Sequence, residues 1–350
     1  MRTEFICPDG VKIAIPECYR RCRLGNRCAP ETYLREVGGD GVQTEWPAWK
    51  KPSCTQLLKG TREAWLSQVT PWATEPDSAA FMVVGSAGHS RLESNVPAGS
   101  EHHLQAEGWV ELDGVIGRFD LVERNEDPGE SYTLVDYKVV GSYAIVKALG
   151  LVTERVPRVD AAGAPVLYRG RAMSDPVFRI DPSVADLGDY KWQENFYALA
   201  WNLARRQRPA VELFDPAVPQ ITRLRLLMIA RDGGTYMAKN RGITRNLYYF
   251  EVPRLPEEEI RAKFVAKRDA YLWAVRHNMD GNPDQSWPDP CSPQEAWDGN
   301  KCRKYCSVAR ACVRHGDNPW VRPDQLAEDG EAVPDTRVAL AGDDGIPSEV

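Results

Sequence analysis

The chain has 350 residues, of which 43% are hydrophobic and 27% are charged. These proportions are typical of a globular protein with one large core or two smaller ones. No apolar run approaches the roughly 18–20 residues that a membrane-spanning helix needs, and the first residues lack the charged-then-apolar pattern of a secretory signal. We therefore expect a cytoplasmic protein that makes no membrane contact.

The net charge of −6 argues only weakly against binding to nucleic acid, because phosphate is bound by local positive charge. Residues 321–350 carry eight acidic residues and two arginines, so they hold much of the excess negative charge. Their Gly, Pro and Ala content predicts a disordered acidic tail.

Eight of the nine cysteines form two sets with the same spacing, C-x10-C-x3-C-x5-C. Disulfides are rare in cytoplasmic proteins, so metal binding is the favoured role for such a repeat. The repeat predicts a small four-cysteine module at each end of the chain, residues 1–40 and 288–318, with Cys54 left over. The two sets are Cys7, Cys18, Cys22 and Cys28, and Cys291, Cys302, Cys306 and Cys312.

Residues 45–285, between the two modules, have the pattern of a mixed α/β domain. Apolar periodicity predicts helices over 53–69, 80–94, 190–206 and 257–277. Strands are predicted over 108–113, 115–124, 131–140, 221–230 and 246–252. Asp113-Gly114 is a strong hairpin turn, so the first three strands should form an antiparallel meander. Residues 150–188 are rich in Pro and Gly and are predicted to be an insertion or a loop.

The third strand of the meander places Asp136 and Lys138 on the same face, about 6.5 Å apart along the chain. Asp120 lies on the strand before it. Charged groups in an otherwise apolar strand need partners, and two carboxylates can hold a divalent metal ion. A nearby lysine can orient a metal-bound water or stabilise developing charge, as phosphodiester cleavage requires. A plain salt bridge across the hairpin is the alternative interpretation.

Four short motifs occur here in the order that is typical of the RecB-like branch of the PD-(D/E)XK nucleases, and the chain resembles that family from about residue 52 to residue 201. The resemblance implies a restriction-endonuclease-like core, in which helices flank a mixed central sheet. Phe119 stands where a proline is common, and the gap between Lys138 and Gln193 is long. The four motifs are Gly85–His89, Gly117–Asp120, Asp136–Lys138 and Gln193–Tyr197.

The resemblance also implies roles for individual residues. It assigns Mg²⁺ or Mn²⁺ to His89, Asp120, Asp136 and the main-chain carbonyl of Tyr137. The catalytic residues that it implies are Asp120, Asp136, Lys138, Gln193 and Tyr197. Gln193 and Tyr197 would contact the DNA backbone or support the site. Taken alone, His89 could be an ordinary helix residue and Tyr197 a core residue. Glu93 and Glu111 are further acids that could reach the site.

The thiolates of each set can hold Zn²⁺ or an iron–sulfur cluster. Zinc sites usually pair two short C-x2–4-C hairpins, which neither set has. The C-terminal set resembles the cysteine cluster of iron–sulfur RecB-like nucleases, including AddB-type and CRISPR-adaptation nucleases, which implies a [4Fe–4S] cluster. Cys54 or an N-terminal cysteine could complete that cluster instead, although the exact repeat favours self-contained sets.

For the N-terminal set, zinc and iron–sulfur both stay open. Four arginines among its ligands could contact DNA phosphates, or they could form a solvated face. They are Arg20, Arg21, Arg23 and Arg27.

The predicted function is metal-dependent hydrolysis of DNA, as an exonuclease or a DNA-end-processing enzyme. Single-stranded DNA or DNA with free ends is the expected partner, with a recombination or replication protein as a further one. A phage or mobile-element origin would fit the resemblance. The alternatives are a nucleic-acid-binding protein with structural metal clusters and no cleavage, and a redox protein with two clusters. Trp72, Trp109 and Trp192 could stack on bases, although core packing is the expectation for each.

Overall fold

The fold is described from a computed structural model of the chain. The part of the chain that it describes comprises residues 2–39, 51–96, 104–125, 131–207, 220–278 and 286–322, together with Leu326. Nearly all of the predicted acidic tail, residues 321–350, lies outside these ranges.

The strands of the described chain are β1 (Arg2–Ile6), β2 (Lys12–Ala14), β3 (Trp72–Thr74), β4 (Leu104–Leu112), β5 (Val115–Arg124), β6 (Tyr132–Val140), β7 (Leu151–Pro157), β8 (Leu167–Tyr168), β9 (Arg171–Ala172), β10 (Ser174–Ile180), β11 (Ile221–Ala230) and β12 (Leu247–Glu251).

The α-helices are α1 (Ile15–Arg20), α2 (Glu31–Gly38), α3 (Cys54–Leu57), α4 (Thr61–Val69), α5 (Ala80–Glu93), α6 (Ser142–Leu149), α7 (Asp189–Gln207), α8 (Tyr236–Asn240), α9 (Glu257–His277), α10 (Pro293–Ala296), α11 (Asn300–Lys304) and α12 (Ala309–Arg314). Two short 3-10 helices, Asp77–Ala79 and Pro182–Val184, complete the set. None of the described helices has the length and apolar character that a bilayer crossing would require.

The chain divides into two compact units. The first comprises Met1–Lys50, Lys59–Val83 and Asp269–Val350, and the second comprises Lys51–Leu58 and Val84–Arg268. Both cysteine sets therefore fall in the first unit, whereas the sequence treats them as two separate modules on either side of a core. The motif residues from Gly85 to Tyr197 all fall in the second unit.

The second unit contains a five-stranded mixed sheet with the order β12-β11-β6-β5-β4. The pairs β4–β5, β5–β6 and β11–β12 are antiparallel, and β11 runs parallel to β6. The predicted meander and both later strands are therefore present. The parallel pair is possible because α7 and the segment before it carry the chain from the end of β6 back to the start of β11.

Helix α7 packs against this sheet through aromatic side chains. Phe119 of β5 and Trp201 of α7 have ring centroids 5.4 Å apart, and Tyr132 of β6 lies 6.4 Å from the same Trp201 ring. Phe196 of α7 also contacts Phe264 of α9 at 4.6 Å. Burying rings of this size supplies much of the hydrophobic stabilisation of the unit.

In the first unit, β1 pairs with β2 antiparallel and with β3 parallel. Helices α1 and α2 cover a core beside this sheet that includes Phe5, Ile15 and Leu34. Elsewhere in the unit, the Trp65 indole of α4 packs on Trp287, with centroids 5.1 Å apart, and donates to the carbonyl of Asn278 at 3.1 Å.

The helix predicted over residues 53–69 is wrong in one respect, because the structure breaks it into α3 and α4. Gly60 precedes α4 with an extended backbone, φ −57° and ψ 140°. A Cβ atom at this position would lie 2.3 Å from the Cys291 sulfur, so the chain passes closer to that thiol than any other residue would allow. This contact joins positions far apart in sequence, and periodicity cannot reveal it.

Residues 150–188 contain regular structure in addition to loops. Strands β7 and β10 pair antiparallel from Leu151↔Ile180 to Ser174↔Pro157, and β8 pairs with β9 between them. Most side chains of both long strands are exposed or half-buried, including Val156 and Val177. An alternating apolar pattern needs one buried face, so this hairpin carried no clear strand signal.

One testable consequence concerns the close approach of β4 to β5. A Cβ atom at Gly108 would lie 2.1 Å from the buried Phe119 ring, so Gly108→Ala should destabilise the protein by about 1–3 kcal/mol through overpacking. Gly85→Ala is the matched control, since nothing lies within 4 Å of its added methyl group. In a helix that change should be neutral or stabilising by up to about 1 kcal/mol. Urea denaturation of both variants gives the comparison, and equal stability of Gly108→Ala and wild type would contradict this packing.

Candidate functional site

Asp120 lies where β5 and β6 separate. The ladder between these strands runs from Arg124↔Tyr132 to Leu121↔Val135, and beyond it β5 continues beside β4. At the end of the ladder the main-chain N–H of Tyr137 donates to Asp120 Oδ2 at 2.7 Å. The carboxylate therefore takes the place of a strand partner for β6, since buried main-chain N–H groups need an acceptor.

The alternation of β5 changes at the same point. Val115, Gly117 and Phe119 are buried, yet the next buried residue is Val122, three positions after Phe119. Asp120 and Leu121 are both half-buried between the two patterns. The pairing of β5 with β4 and β6 shows no register shift in this stretch, so Asp120 and Val122 share the face opposite to Phe119, and the change in burial reflects what covers that face.

Asp136 and Lys138 form an ion pair between Lys138 Nζ and Asp136 Oδ2. Gln193 of α7 donates from Nε2 to the other oxygen, Asp136 Oδ1, at 3.1 Å. The residue Asp136 is only 2% exposed. The two charged side chains therefore point the same way, as the sequence predicts, and Gln193 supports them.

Burial raises the pKa of Asp136 to about 6, and the neighbouring Lys138 charge offsets only part of that effect. For Lys138, burial would lower the pKa, but the Asp136 and Asp120 carboxylates outweigh it, and the pKa lies above its ordinary value. The amine is therefore held in the charged form. Such opposed shifts within one small cluster are typical of functional sites.

His89 of α5 lies beside Asp120, with Nδ1 3.3 Å from Asp120 Oδ1. This hydrogen bond raises the pKa of the His89 imidazole above its ordinary value. Burial would raise the pKa of Asp120, but His89 and the Lys138 charge outweigh burial, and the pKa lies below its ordinary value. The two side chains can both ligate a divalent ion once the imidazole has lost its proton, so metal binding would have to displace that proton.

Glu107 of β4 joins these two residues, which the sequence analysis did not anticipate. Ligand atoms of His89, Glu107 and Asp120 all lie within 4.8 Å of one another. Glu107 is held by Arg118, whose Nε donates to Oε2 at 2.5 Å. Its φ of 53° lies in the left-handed region, a strained conformation for a non-glycine residue that often marks functional sites.

Neither Glu93 nor Glu111 contributes to this group of three ligand atoms, although Glu93 lines the same cavity as His89, Glu107 and Asp120. Glu111 is half-exposed and pairs with Lys51 at 2.5 Å, and Glu93 lies 4.0 Å from Arg118. The pairing of β4 with β5 could have identified Glu107. In that register Glu107 lies opposite Asp120, between the pairs Ala106↔Leu121 and Gly108↔Phe119.

Tyr197 is 2% exposed and lies beneath β5, where a Cβ atom at Gly117 would meet its ring at 2.4 Å. The pKa of its hydroxyl is raised, mainly by burial. Of the two roles that the family pattern allows, support of the site fits this position, and the same holds for Gln193, which is 7% exposed. The Tyr197 ring can pack against β5 only because residue 117 is glycine, since any side chain at that position would overlap the ring.

Glu194, next to Gln193, is the second residue that the sequence analysis missed. It is fully buried, and neither carboxylate oxygen has a hydrogen-bond partner within the described part of the chain. Burial, followed by the charge of Asp136, raises its pKa well above the ordinary value and so favours the protonated form. The sequence did not reveal Glu194 because it stands at a position of the Gln193–Tyr197 motif where the family pattern specifies no residue type.

Cys54 is buried in the second unit, close to this same cluster. Burial and then the nearby Glu194 and Asp136 charges raise the pKa of its thiol well above the ordinary value. Its surroundings are thus those of the acidic site.

The four C-terminal cysteines line one pocket in the first unit, together with Glu63, Leu66 and Trp320 among others. Cys312 Sγ accepts from Asn318 Nδ2 at 3.3 Å and lies 3.9 Å from Arg62 Nη1. Arg62 is buried and also pairs with Asp317. Burial raises the pKa of the Cys291 thiol to about 11 and that of Cys306 to about 12.

The four N-terminal cysteines are also close together. Burial raises the pKa of the Cys18 thiol, and so do the neighbouring Cys28, Cys7 and Cys22 thiols. The Cys22 thiol donates to the carbonyl of Asn26 at 3.0 Å.

Two of the four nearby arginines have intramolecular roles. Arg23 pairs with Asp9, and Arg27 donates to the carbonyl of Tyr19 at 2.9 Å. Arg20 and Arg21 are exposed.

No protein-family model and no curated protein matches the chain. A solved structure described as "Crystal structure of SSO0001" matches the chain with a TM-score of 0.38 and 14% sequence identity. That match covers 85% of this chain and 95% of the other. A similarity at this level carries no argument about function, so the assignment depends on the site itself.

A divalent ion bound by His89, Glu107 and Asp120 would require the Glu107 charge. We expect Glu107→Gln to weaken Mn²⁺ affinity about tenfold or more, since even indirect partners of metal ligands act on that scale. Glu111→Gln is the matched control: it removes the same charge from the same strand, at a carboxylate paired with Lys51. Calorimetric titration with Mn²⁺ measures both, and equal affinities in the two variants would exclude Glu107 as a ligand.

Proposed function

We propose that the chain is a metal-dependent deoxyribonuclease of the PD-(D/E)XK class, with a restriction-endonuclease-like core. The observation that supports it most strongly is the convergence of Asp120, Asp136 and Lys138 where β5 and β6 separate. Four motifs distant in sequence meet there in the second unit, since His89 lies against Asp120 and Gln193 against Asp136.

The donor set suits Mg²⁺ or Mn²⁺. Both ions prefer oxygen ligands, with imidazole accepted by Mn²⁺. The ligand atoms of His89, Glu107 and Asp120 lie close enough together for a single ion. Asp136, which pairs with Lys138 and Gln193, lies outside this group of three. In the family pattern, Asp136 and the Tyr137 carbonyl would complete the ligand set. When bound, a divalent ion lowers the pKa of a coordinated water and neutralises charge on the phosphate.

The chain's own groups have separable roles in this proposal. Burial raises the pKa of Asp136 to about 6, and Gln193 orients its carboxyl group. The Asp136 and Asp120 carboxylates raise the pKa of Lys138, so the charged amine holds a water in place and stabilises negative charge on the phosphate. Tyr197 and Gly117 hold α7 against β5, which positions Gln193 for its contact with Asp136.

DNA with single-stranded regions or free ends is the proposed substrate, in keeping with the family resemblance. A recombination or replication protein as partner stays a prediction, as does the cytoplasmic location.

The test is digestion of end-labelled single- and double-stranded DNA in Mg²⁺ or Mn²⁺. Asp136→Asn and Lys138→Ala should each lower the cleavage rate at least about 100-fold, because each removes a group that acts on the reacting phosphate or its water. Circular dichroism should show an unchanged fold.

The pair Lys147 and Asp186 provides matched controls. It is an exposed pair, 3.7 Å apart, so Lys147→Ala and Asp186→Asn make the same chemical changes outside the site and should leave cleavage unchanged. Wild-type protein that binds DNA but cuts neither substrate would exclude the nuclease and favour a binding protein with structural clusters.

We further propose that the C-terminal cysteines hold an iron–sulfur cluster, of the [4Fe–4S] type. The four C-terminal thiols line one pocket, and their spacing lacks the paired short C-x2–4-C hairpins that are usual for zinc. The Asn318 contact to Cys312 is of the kind that tunes clusters.

Anaerobically purified protein should be brown and contain iron with acid-labile sulfide. Cys306→Ala should lose the C-terminal share of that iron, whereas Cys54→Ala, which alters a buried thiol of the acidic site, should retain it. Cys22→Ala reports on the N-terminal set, for which iron–sulfur and zinc are both proposed and metal analysis distinguishes them. A colourless protein whose only transition metal is zinc would contradict the cluster.

A further inference from the structure

Trp109 occupies an unusual place on β4. It lies opposite Arg118 of β5 in the antiparallel register, and its neighbours Gly108 and Val110 are buried. Since side chains alternate along a strand, the Trp109 ring lies on the sheet face opposite to the one that packs against Phe119. Both Trp109 and Arg118 are exposed on that face.

Trp109 is the most exposed tryptophan in the described ranges. It is 68% exposed, against 53% for Trp297 and 42% for Trp273, and each of those two rings packs against a neighbouring ring. Within the described ranges its indole makes no hydrogen bond and no ring contact. The expectation of core packing is therefore wrong for Trp109. By contrast, Trp72 is half-buried and donates to the carbonyl of Ser67 at 3.3 Å.

The ring is also next to the candidate metal ligands. Glu107 precedes Trp109 by two residues, a rise of about 7 Å along a strand. Arg118, the cross-strand neighbour of Trp109, contacts Glu107 directly and precedes Asp120 by two residues. A base attached to a phosphate at the ligand group would thus lie within reach of the indole.

The charges on this face are compatible with a nucleic acid strand. Glu107 is paired with Arg118, and Glu111 is paired with Lys51. Each acid beside Trp109 therefore has a cationic partner, which reduces repulsion of phosphate. An isolated exposed tryptophan needs no special explanation. A tryptophan that lies between two ion pairs and next to candidate metal ligands, however, has the surroundings of a base-stacking platform.

We propose that Trp109 stacks on an unpaired base adjacent to the phosphate to be cut, so that the site selects single-stranded DNA or frayed ends. The proposal rests on the nuclease function. A paired base inside a duplex presents no free face to a ring, whereas every unpaired base does. Arg118 lies beside the ring and can contact the phosphate that follows.

Binding is measured without cleavage, in Ca²⁺, with fluorescent single strands, blunt duplexes, and single strands that carry one abasic residue at successive positions. Trp109→Ala should weaken single-strand binding about fivefold or more, the lower part of the range for stacking one base. Blunt duplex binding should not change. Wild type should lose the same factor at one abasic position, and Trp109→Ala should be insensitive to it.

Tyr168→Ala is the matched control, because it removes an equally exposed ring, 61% exposed, from the β8–β9 hairpin, which contributes no residue to the site. Trp109→Phe keeps an aromatic face and should retain most of the affinity, which also guards against misfolding of the alanine variant.

The proposal is overturned if Trp109→Ala binds single strands as wild type does, or if it weakens duplex and single-strand binding equally. Because the assay needs no cleavage, a chain that fails to cut DNA could still show the stacking effect. Conversely, if the chain cuts DNA but Trp109→Ala shows no such effect, the nuclease proposal would stand and only the stacking role of Trp109 would be contradicted.

Discussion

The acidic site depends on one hydrogen bond, from the main-chain N–H of Tyr137 to the carboxylate of Asp120. Without it, the end of the β5–β6 ladder would leave a half-buried N–H without an acceptor, at a cost of about 1–3 kcal/mol. With it, the strands can separate while the sheet stays intact. The same contact fixes Asp120 between His89 and the Asp136–Lys138 pair. The Asp120 side chain therefore both completes the hydrogen bonding of β6 and forms part of the candidate site.

Each of the charged groups in the acidic site is, by itself, unfavourable for folding. Asp136 and Glu194 are buried carboxyls whose pKa values are raised, and Lys138 is a largely buried amine that remains charged only because the carboxylates surround it. Buried ionisable groups of this kind are costly unless paired. In the proposed nuclease, a bound divalent ion would offset the repulsion between the ionised carboxylates.

The two cysteine sets show a different relation between sequence and structure. Their spacing is identical, and in each set the four thiols come together. The surroundings of the C-terminal set come from elsewhere in the chain: Glu63, Leu66 and Arg62 belong to α4, more than two hundred residues earlier. Gly60 and Cys291 approach so closely that the start of α4 is shaped by the thiol pocket.

The sequence by itself determined the strands and the long helices, because their apolar periodicity is strong. It also determined that Asp136 and Lys138 share one face, because side chains two residues apart on a strand point the same way. It could not reveal Glu107 or Glu194 as members of the site. Glu107 enters only through its register opposite Asp120 and its left-handed backbone, and Glu194 only through burial under the sheet. Tertiary packing likewise decided that Tyr197 is buried and Trp109 exposed, since the periodicity of a strand or helix divides its residues between faces but does not specify which face meets solvent.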